Sequence, residues 1–396
     1  MEMSQLGPTI LLMPEPIRTL DLFAGAGGLS QGLRLADTRF ISSVAVELDR
    51  AAATTYSLNF PEAEVHADPI EQWLENSAAP DIDVIVGGPP CQGFSALGRQ
   101  DVDDERNTLW RHYLHAVKRS MPKYFVIENV PQFMESPQFA LFRDSIENGE
   151  LSDYSVQARL LNSADFGAPQ ARKRVIALGS RRDLSPLRHP ARTHVGAHVS
   201  VSEALAGVQP RVHKINLPVR PGIEAGGRAV PGPFRLDELH LTRHYQEISL
   251  RRFAHIGPGQ NRFAIPEELL SPCWRRHRSG SGDVMGRLFP DRPSVTIRTE
   301  FFKPEKGRYL HPTEHRAITH YEAGLLQGFA PDSLWAGSKT DIARQIGNAV
   351  PLALGAAIGR QIVRAIDGVE GSFDLVDRIE RIDVLPEPQN TPASLF

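Results

Sequence analysis

Between Arg18 and Gly179 short runs rich in β-branched and aromatic residues alternate with stretches of helical periodicity, and this alternation is the signature of an α/β fold. Expected strands are Thr19–Phe23, Ile41–Val46, Val84–Val86 and Tyr124–Glu128, with a late pair at Ser155–Leu161 and Val175–Ser180. Helical patterns fill the gaps at Gly28–Leu35, Arg50–Asn59, Leu109–Arg119 and Gln138–Glu147. In open sheets of this kind ligands gather at the carboxyl ends of the strands. The residues at those ends therefore decide the chemistry.

The first strand runs into Asp21-Leu22-Phe23-Ala24-Gly25-Ala26-Gly27-Gly28-Leu29-Ser30, where glycines permit a tight turn and a close ligand approach. A dinucleotide fingerprint wants glycine or alanine where Ser30 stands, so the loop suits a nucleoside without phosphates. Glu47 ends the second strand, 20 residues beyond Gly27, where an acidic side chain can take both ribose hydroxyls. Asp68 follows, placed to receive an adenine amino group. A glycine-rich turn alone is as readily structural, and the three features in register carry the reading. The next strand ends Gly87-Gly88-Pro89-Pro90-Cys91-Gln92-Gly93-Phe94-Ser95. Two prolines fix the backbone before the sulfur and glycines clear the space around it. A packing cysteine would sit in an apolar run instead, so Cys91 reads as a nucleophile. Glu128, in Glu128-Asn129-Val130-Pro131, would in isolation be a loop carboxylate or helix cap, but beside a nucleophile it becomes a candidate acid. In Gln170-Ala171-Arg172-Lys173-Arg174 the alternation puts Arg172 and Arg174 on one strand face; the alternative is a solvated edge.

After Pro186 the text turns irregular, rich in Pro, Gly, Arg and His, and a loop-dominated second domain is expected over 186–305. Net charge is only −3 overall, yet residues 171–310 hold 25 Lys and Arg against 12 Asp and Glu, a local +13. Arginine dominates this excess: Arg172, Arg174, Arg181, Arg182, Arg188, Arg251, Arg252, Arg275, Arg276 and Arg278. Its planar fork suits phosphates and guanine edges, so a polyanion is the expected partner, with a solvated basic face as the alternative. Cys273 beside Trp274 is expected to pack inside this domain, and the arginines that follow to meet the polyanion. Helical patterning returns at Thr319 and culminates in Ala356–Ala365; the acidic tail 367–396 is expected to be partly disordered. Two cysteines, Cys91 and Cys273, support neither a disulfide framework nor a cysteine-built zinc site. His112 with His115, and His194 with His198, lack partner ligands in sequence, so no metal is expected. The first residues have no basic region ahead of their short apolar stretch and no run approaches a membrane span of ~20 residues. A cytoplasmic protein is expected.

In this order the segments resemble the motifs of DNA (cytosine-5)-methyltransferases of the bacterial restriction-modification type. The resemblance rests on Asp21 to Gly28, Pro89 to Ser95, Arg106-Asn107-Thr108-Leu109, Glu128-Asn129-Val130 and Gln170 to Arg174. Arg316-Ala317-Ile318-Thr319, Gln327-Gly328-Phe329 and Gln345-Ile346-Gly347-Asn348-Ala349-Val350-Pro351 complete it, over about residues 18–365. Ala67 stands where glycine is commoner and Pro69 where an aliphatic residue is usual. The resemblance implies a Rossmann-like S-adenosylmethionine-dependent methyltransferase fold with a mixed sheet, an antiparallel hairpin closing a parallel core. It implies a catalytic domain over 1–185 and 306–366, with 186–305 as target-recognition domain. Phe23, Gly25, Ala26, Gly27, Gly28, Glu47, Leu48, Asp68, Pro69, Pro90, Leu109, Asn348, Ala349 and Val350 would hold S-adenosyl-L-methionine.

The implied reaction is attack of the Cys91 thiolate on cytosine carbon 6, which makes carbon 5 enamine-like and able to take a methyl group. Glu128, its pKa raised, would serve ring nitrogen 3, Arg174 the exocyclic oxygen and Arg172 the nearby phosphates. The base must leave the duplex stack. Gln92, Ser95 and Arg99, in a loop hinged at Gly93 and Gly98, would then touch DNA together with Arg275, Arg276 and Arg278. Implied partners are double-stranded DNA and a cognate restriction endonuclease, the enzyme acting as a monomer. Three rivals stay open: a tRNA cytosine-5 methyltransferase, a catalytically silent base-flipping protein, and an enzyme using a modified donor.

Overall fold

The computed structural model describes residues 15–90, 109–276 and 279–369. Five parallel strands lead: β1 Ile17–Leu22, β2 Phe40–Val46, β3 Glu64–His66, β4 Val84–Gly87 and β5 Tyr124–Asn129. Helices α1 Gly28–Ala36, α2 Arg50–Asn59, α3 Ile70–Asn76, α4 Leu109–Ser120 and α5 Pro137–Glu147 accompany them. The chain then turns back through β6 Tyr154–Asn162, β7 Gln170–Ala171 and β8 Lys173–Arg181, with β8 antiparallel to both β5 and β6. The seven-stranded order is β3-β2-β1-β4-β5-β8-β6, the mixed sheet expected. Strand order reverses between β1 and β4, so the crevice beyond their carboxyl ends is the natural ligand seat.

Local chemistry explains the boundaries. Asp49 caps α2 by accepting from the Ala52 N–H, and Ser136 caps α5 through the Phe139 N–H. Strand β4, Val84-Ile85-Val86-Gly87, is buried along its whole length because helices cover both faces. One face packs Leu20, Leu22, Ile85, Phe125 and Ile127 against Trp110, Tyr113 and Phe142. The other packs Val84, Val86, Val126 and Ile176 against Leu29 and Leu33 of α1 and Leu354, Ile358 and Ile362.

The 186–305 segment adds α6 Val201–Ala204, β9 Ile223–Ala225, β10 Arg228–Val230, β11 Phe234–Arg235, α7 Glu247–Ala254, α8 Pro272–Arg276 and β12 Ser294–Val295. After it come α9 His320–Gln327, β13 Leu334–Trp335, α10 Lys339–Asn348 and α11 Leu352–Ile366. Helix α11 returns to the sheet, where Gly32 of α1 and Gly355 pass so close that a Cβ on Gly32 would lie 2.8 Å from the Gly355 Cα.

The loop-dominated 186–305 segment contributes to two cores. Phe234, Leu236, Ile297 and Phe301 share one core with Leu326, Trp335, Ile342 and Ile346, and β11 pairs with β13. A smaller cluster of Phe253, Ile256, Ile265, Leu269 and Met285 also takes in Leu310. Sparse regular structure leaves carbonyls in need of donors, and arginine supplies them. Arg287, buried, donates to the carbonyls of Phe253 (2.8 Å), Glu314 (2.6 Å), Ile256 and His311. Arg252 donates to Leu269 O at 2.7 Å and Arg308 to Gly259 O at 2.7 Å. Part of the +13 excess therefore serves folding.

Candidate functional site

Two glycines in the left-handed region shape the turn after β1, Gly25 at φ +56 and Gly27 at φ +83, and Phe23 adopts φ +56 between them and the strand. A non-glycine residue there is strained and persists only where its surroundings hold it. They do. A Cβ on Gly27 would strike the Phe60 ring at 2.5 Å and Tyr56 at 3.1 Å, while one on Gly28 would meet Val350 O at 2.9 Å and the Ala349 Cβ at 3.0 Å. The turn is thus sandwiched between α2 and the Asn348–Pro351 bend. Among the described residues, chain neighbours apart, nothing lies within 4 Å of a Cβ built on Gly25, so the cradle is open on that side.

Glu47 locks this cradle. Its Oε2 accepts from the Gly25 N–H at 2.8 Å and its Oε1 from the Asp49 N–H at 2.7 Å. Burial raises its pKa against the opposing pull of those two backbone donors. A carboxylate offers about four lone-pair sites, so two remain for ribose hydroxyls. Next to it Leu48 is 67% exposed, an apolar side chain held out at the mouth of the crevice. Asp68 is half-buried just before Pro69, the N-cap of α3, and Leu109 opens α4. Asn348 is exposed at the end of α10, whereas Ala349, Val350 and Ala26 are buried. These residues fit a nucleoside-bearing donor: an open glycine cradle, a carboxylate with free lone pairs and an apolar side chain at the rim.

The sequence pattern does not single out what lies beneath. Asp21, 2% exposed, accepts from Ser30 Oγ at 2.6 Å, and Tyr56 OH contacts Ser30 Oγ at 2.9 Å and Ser42 Oγ at 2.5 Å. Burial, followed by the nearby Glu47 charge, raises Asp21 to about 7 despite the bond from Ser30. This network ties β1, α1, β2 and α2 together under the turn. It also explains Ser30 at the fingerprint position: its hydroxyl points inward to Asp21.

One strand over, β4 ends at Gly87, and Gly88–Pro90 cross in front of β5. A Cβ on Gly88 would lie 3.0 Å from Glu128 Oε2, and Asn129 Nδ2 donates to Pro89 O at 3.2 Å, so glycine and asparagine seat the proline pair against β5. Glu128 Oε1 lies 2.7 Å from Arg174 Nε, with both side chains mostly shielded. This joins the end of β5 to the start of β8, where those strands run antiparallel with Glu128 opposite Ile176. Cys91, Gln92, Ser95, Arg99 and Arg278 lie outside the described residues.

Arg172 corrects an expectation. It is only 4% exposed and donates to Ile297 O (3.1 Å), Gly347 O (2.9 Å) and Asn348 O (3.5 Å), so it faces protein carbonyls instead of phosphates. The alternation holds, with Ala171 and Lys173 exposed and Arg172 and Arg174 shielded, but the shielded face at Arg172 meets protein carbonyls. Cys273 is a second correction. It is exposed on the short α8, which turns Trp274 toward the Phe253–Met285 cluster instead. Arg275 and Arg276 are exposed on the same helix. His112 has a carboxylate neighbour, Glu71, at 3.3 Å, and His198 has Asp165 at 2.8 Å. No single helix among the described residues is long and apolar enough to cross a membrane.

Comparison with known proteins adds a family. The family described as C-5 cytosine-specific DNA methylase matches residues 17–217 and 241–364. The chain is 31% identical over 355 residues to the type II methyltransferase M1.HphI of Haemophilus parahaemolyticus, covering 87% of this chain and 86% of that one. It is 32% identical over 386 residues to the type II methyltransferase M.XorII of Xanthomonas oryzae, covering 89% and 86%. A prophage-encoded Escherichia coli protein described as a DNA modification methyltransferase superposes with a TM-score of 0.67 at 25% identity, covering 89% of this chain and 99% of that one.

Proposed function

Because the chain belongs to the C-5 cytosine-specific DNA methylase family, we propose that Cys91, Glu128 and Arg174 carry out its reaction, methylation of cytosine carbon 5 in DNA. The observation that carries this assignment is the Glu128–Arg174 pair, 2.7 Å apart, beside the proline pair that leads into Cys91. The pair bridges β5 and β8, and the proline pair follows β4, the strand next to β1 and its cofactor cradle at the strand-order reversal.

Carbon 5 of cytosine is a poor nucleophile. A bond from the Cys91 sulfur to carbon 6 breaks the ring's aromaticity and drives electron density onto carbon 5 and nitrogen 3. Glu128 shares a proton with nitrogen 3 as that density arrives, and the Arg174 fork has further donors for the exocyclic oxygen. S-adenosylmethionine, the methyl donor of this family, supplies an electrophilic methyl group when bound. Phe23, Gly25, Gly27, Glu47, Leu48, Asp68, Pro90, Asn348 and Val350 form its seat in this reading. Loss of the carbon 5 proton then expels Cys91 and restores the ring. A stacked base hides carbon 6, so the cytosine is first turned out of the duplex, at a few kcal/mol.

In the same reading 186–305 recognises the DNA site, with Arg275, Arg276 and Arg278 on phosphates or base edges. The same reading has the protein work as a monomer on nucleoid DNA in the cytoplasm, alongside a cognate restriction endonuclease; the type II names of its relatives support the restriction-modification setting. Bisulfite sequencing of plasmid DNA from expressing cells tests activity and site together. Protected cytosines within one short context are expected; full conversion in every context would oppose the assignment.

A further inference from the structure

We infer that Gln170, Arg172 and Gln327 form a positioning clamp that fixes the target-base seat relative to the cofactor seat. The inference rests on the reading above of Glu128–Arg174 and Asn348–Val350 as those two seats. Gln170 lies in β7 and Gln327 is the last residue of α9, and neither side chain has any exposed surface. The Gln170 amide donates to Gln327 Oε1 at 2.8 Å, while its oxygen accepts from the Ile297 N–H at 2.8 Å. Gln327 in turn donates from Nε2 to Ile346 O at 2.5 Å. Two residues along from Gln170, the Arg172 guanidinium holds Ile297 O, Gly347 O and Asn348 O.

The five-residue segment 170–174 therefore has two working ends. One places Arg174 against Glu128; the other is bolted to the last turn of α10, from which the cofactor seat continues. That turn has little freedom of its own, since a Cβ on Gly347 would fall 2.5 Å from Thr299 N. Buried amides bring a desolvation cost, and a fully satisfied network offsets it while specifying one geometry. Being sealed from solvent, Gln327 meets neither base nor donor directly. What it can set is the distance and angle between them.

Misplacing reacting groups by about 1 Å costs roughly 100-fold in rate, even when each ligand still binds. The test is single-turnover methylation at saturating duplex DNA and donor, with calorimetric affinities for S-adenosylmethionine and DNA measured alongside. Gln327→Met, of equal length but apolar, is expected to slow methyl transfer about 100-fold. Both affinities should stay within about threefold of wild type. Gln170→Met should behave alike, and the double variant should be no slower than the worse single one, because the pair acts as a unit. If Gln327→Met does not fold, Gln327→Asn and Arg172→Lys are measured in its place, with the same split expected. Folded variants with wild-type rates, losses that multiply in the double variant, or losses confined to affinity would each overturn the clamp. A wild-type protein inactive on all DNA would instead remove the functional reading beneath it.

Discussion

Asp21→Asn removes a carboxyl that is 2% exposed, accepts from Ser30 Oγ at 2.6 Å and is raised to about 7, foremost by burial. In the unfolded chain the same group titrates near 3.9. Between those values the folded protein keeps the proton and the unfolded chain has lost it, so rising pH favours unfolding over that window. Each pH unit costs about 1.4 kcal/mol, hence about 3 kcal/mol from pH 5 to pH 7, with no further loss well above the folded value. Asparagine keeps an acceptor for Ser30 but cannot titrate. All other groups titrate in both proteins, so the difference in unfolding free energy, wild type minus variant, isolates this carboxyl. Urea unfolding at pH 5, 6, 7 and 8 should show that difference falling by about 3 kcal/mol and then levelling. Parallel curves across the range would refute the argument that burial without a cation controls Asp21.

Gly27→Ala forces φ +83 on a side chain whose Cβ would lie 2.5 Å from the Phe60 ring. It should cost about 2–4 kcal/mol and weaken S-adenosylmethionine binding at least tenfold by calorimetry; unchanged affinity would show that the turn is not the seat. Arg287→Met leaves the carbonyls of Phe253, Ile256, His311 and Glu314 without this donor. At ~1–3 kcal/mol for each buried group left unpaired, a loss of at least about 3 kcal/mol in denaturant unfolding is expected. Arg275→Ala and Arg276→Ala should each reduce the slope of log affinity against log salt by about 1 if they meet phosphates. An unaltered slope would place the DNA elsewhere.

Much of the catalytic core was legible because its helices and strands are long enough to show a period. Helix α2 spans Arg50–Asn59 as its pattern predicts, and strands β1, β2, β5, β6 and β8 lie within two residues of their expected ends. The positions of Glu47 and Glu128 at strand ends were legible for the same reason, but the bond from the Gly25 N–H to Glu47 and the Glu128–Arg174 pair were not, since spacing does not show which side chains meet. Other features have no local signature. Strands β7, β11, β12 and β13 have two residues each, too few for a period, and their pairings join Phe234 to Trp335 and Ser294 to Gln170 across the chain. Arginine looks the same in sequence whether it faces solvent or buried carbonyls, so neither Arg172 nor Arg287 shows its inward role there. Asp21 is hidden within an apolar strand, and only the folded neighbourhood of Ser30 and Tyr56 gives it a function.

The proposed reaction turns on a transient sulfur–carbon bond between Cys91 and an extruded cytosine. Duplex DNA carrying 5-fluorocytosine at the methylated position cannot release the fluorine as a proton, so the enzyme should stall on it in the presence of S-adenosylmethionine. Mass spectrometry of the denatured complex should find that DNA attached to the peptide containing Cys91, and no adduct with Cys91→Ala. Methylation of ordinary substrate without any trapped adduct, or an adduct persisting in Cys91→Ala, would rule out attack by the Cys91 sulfur.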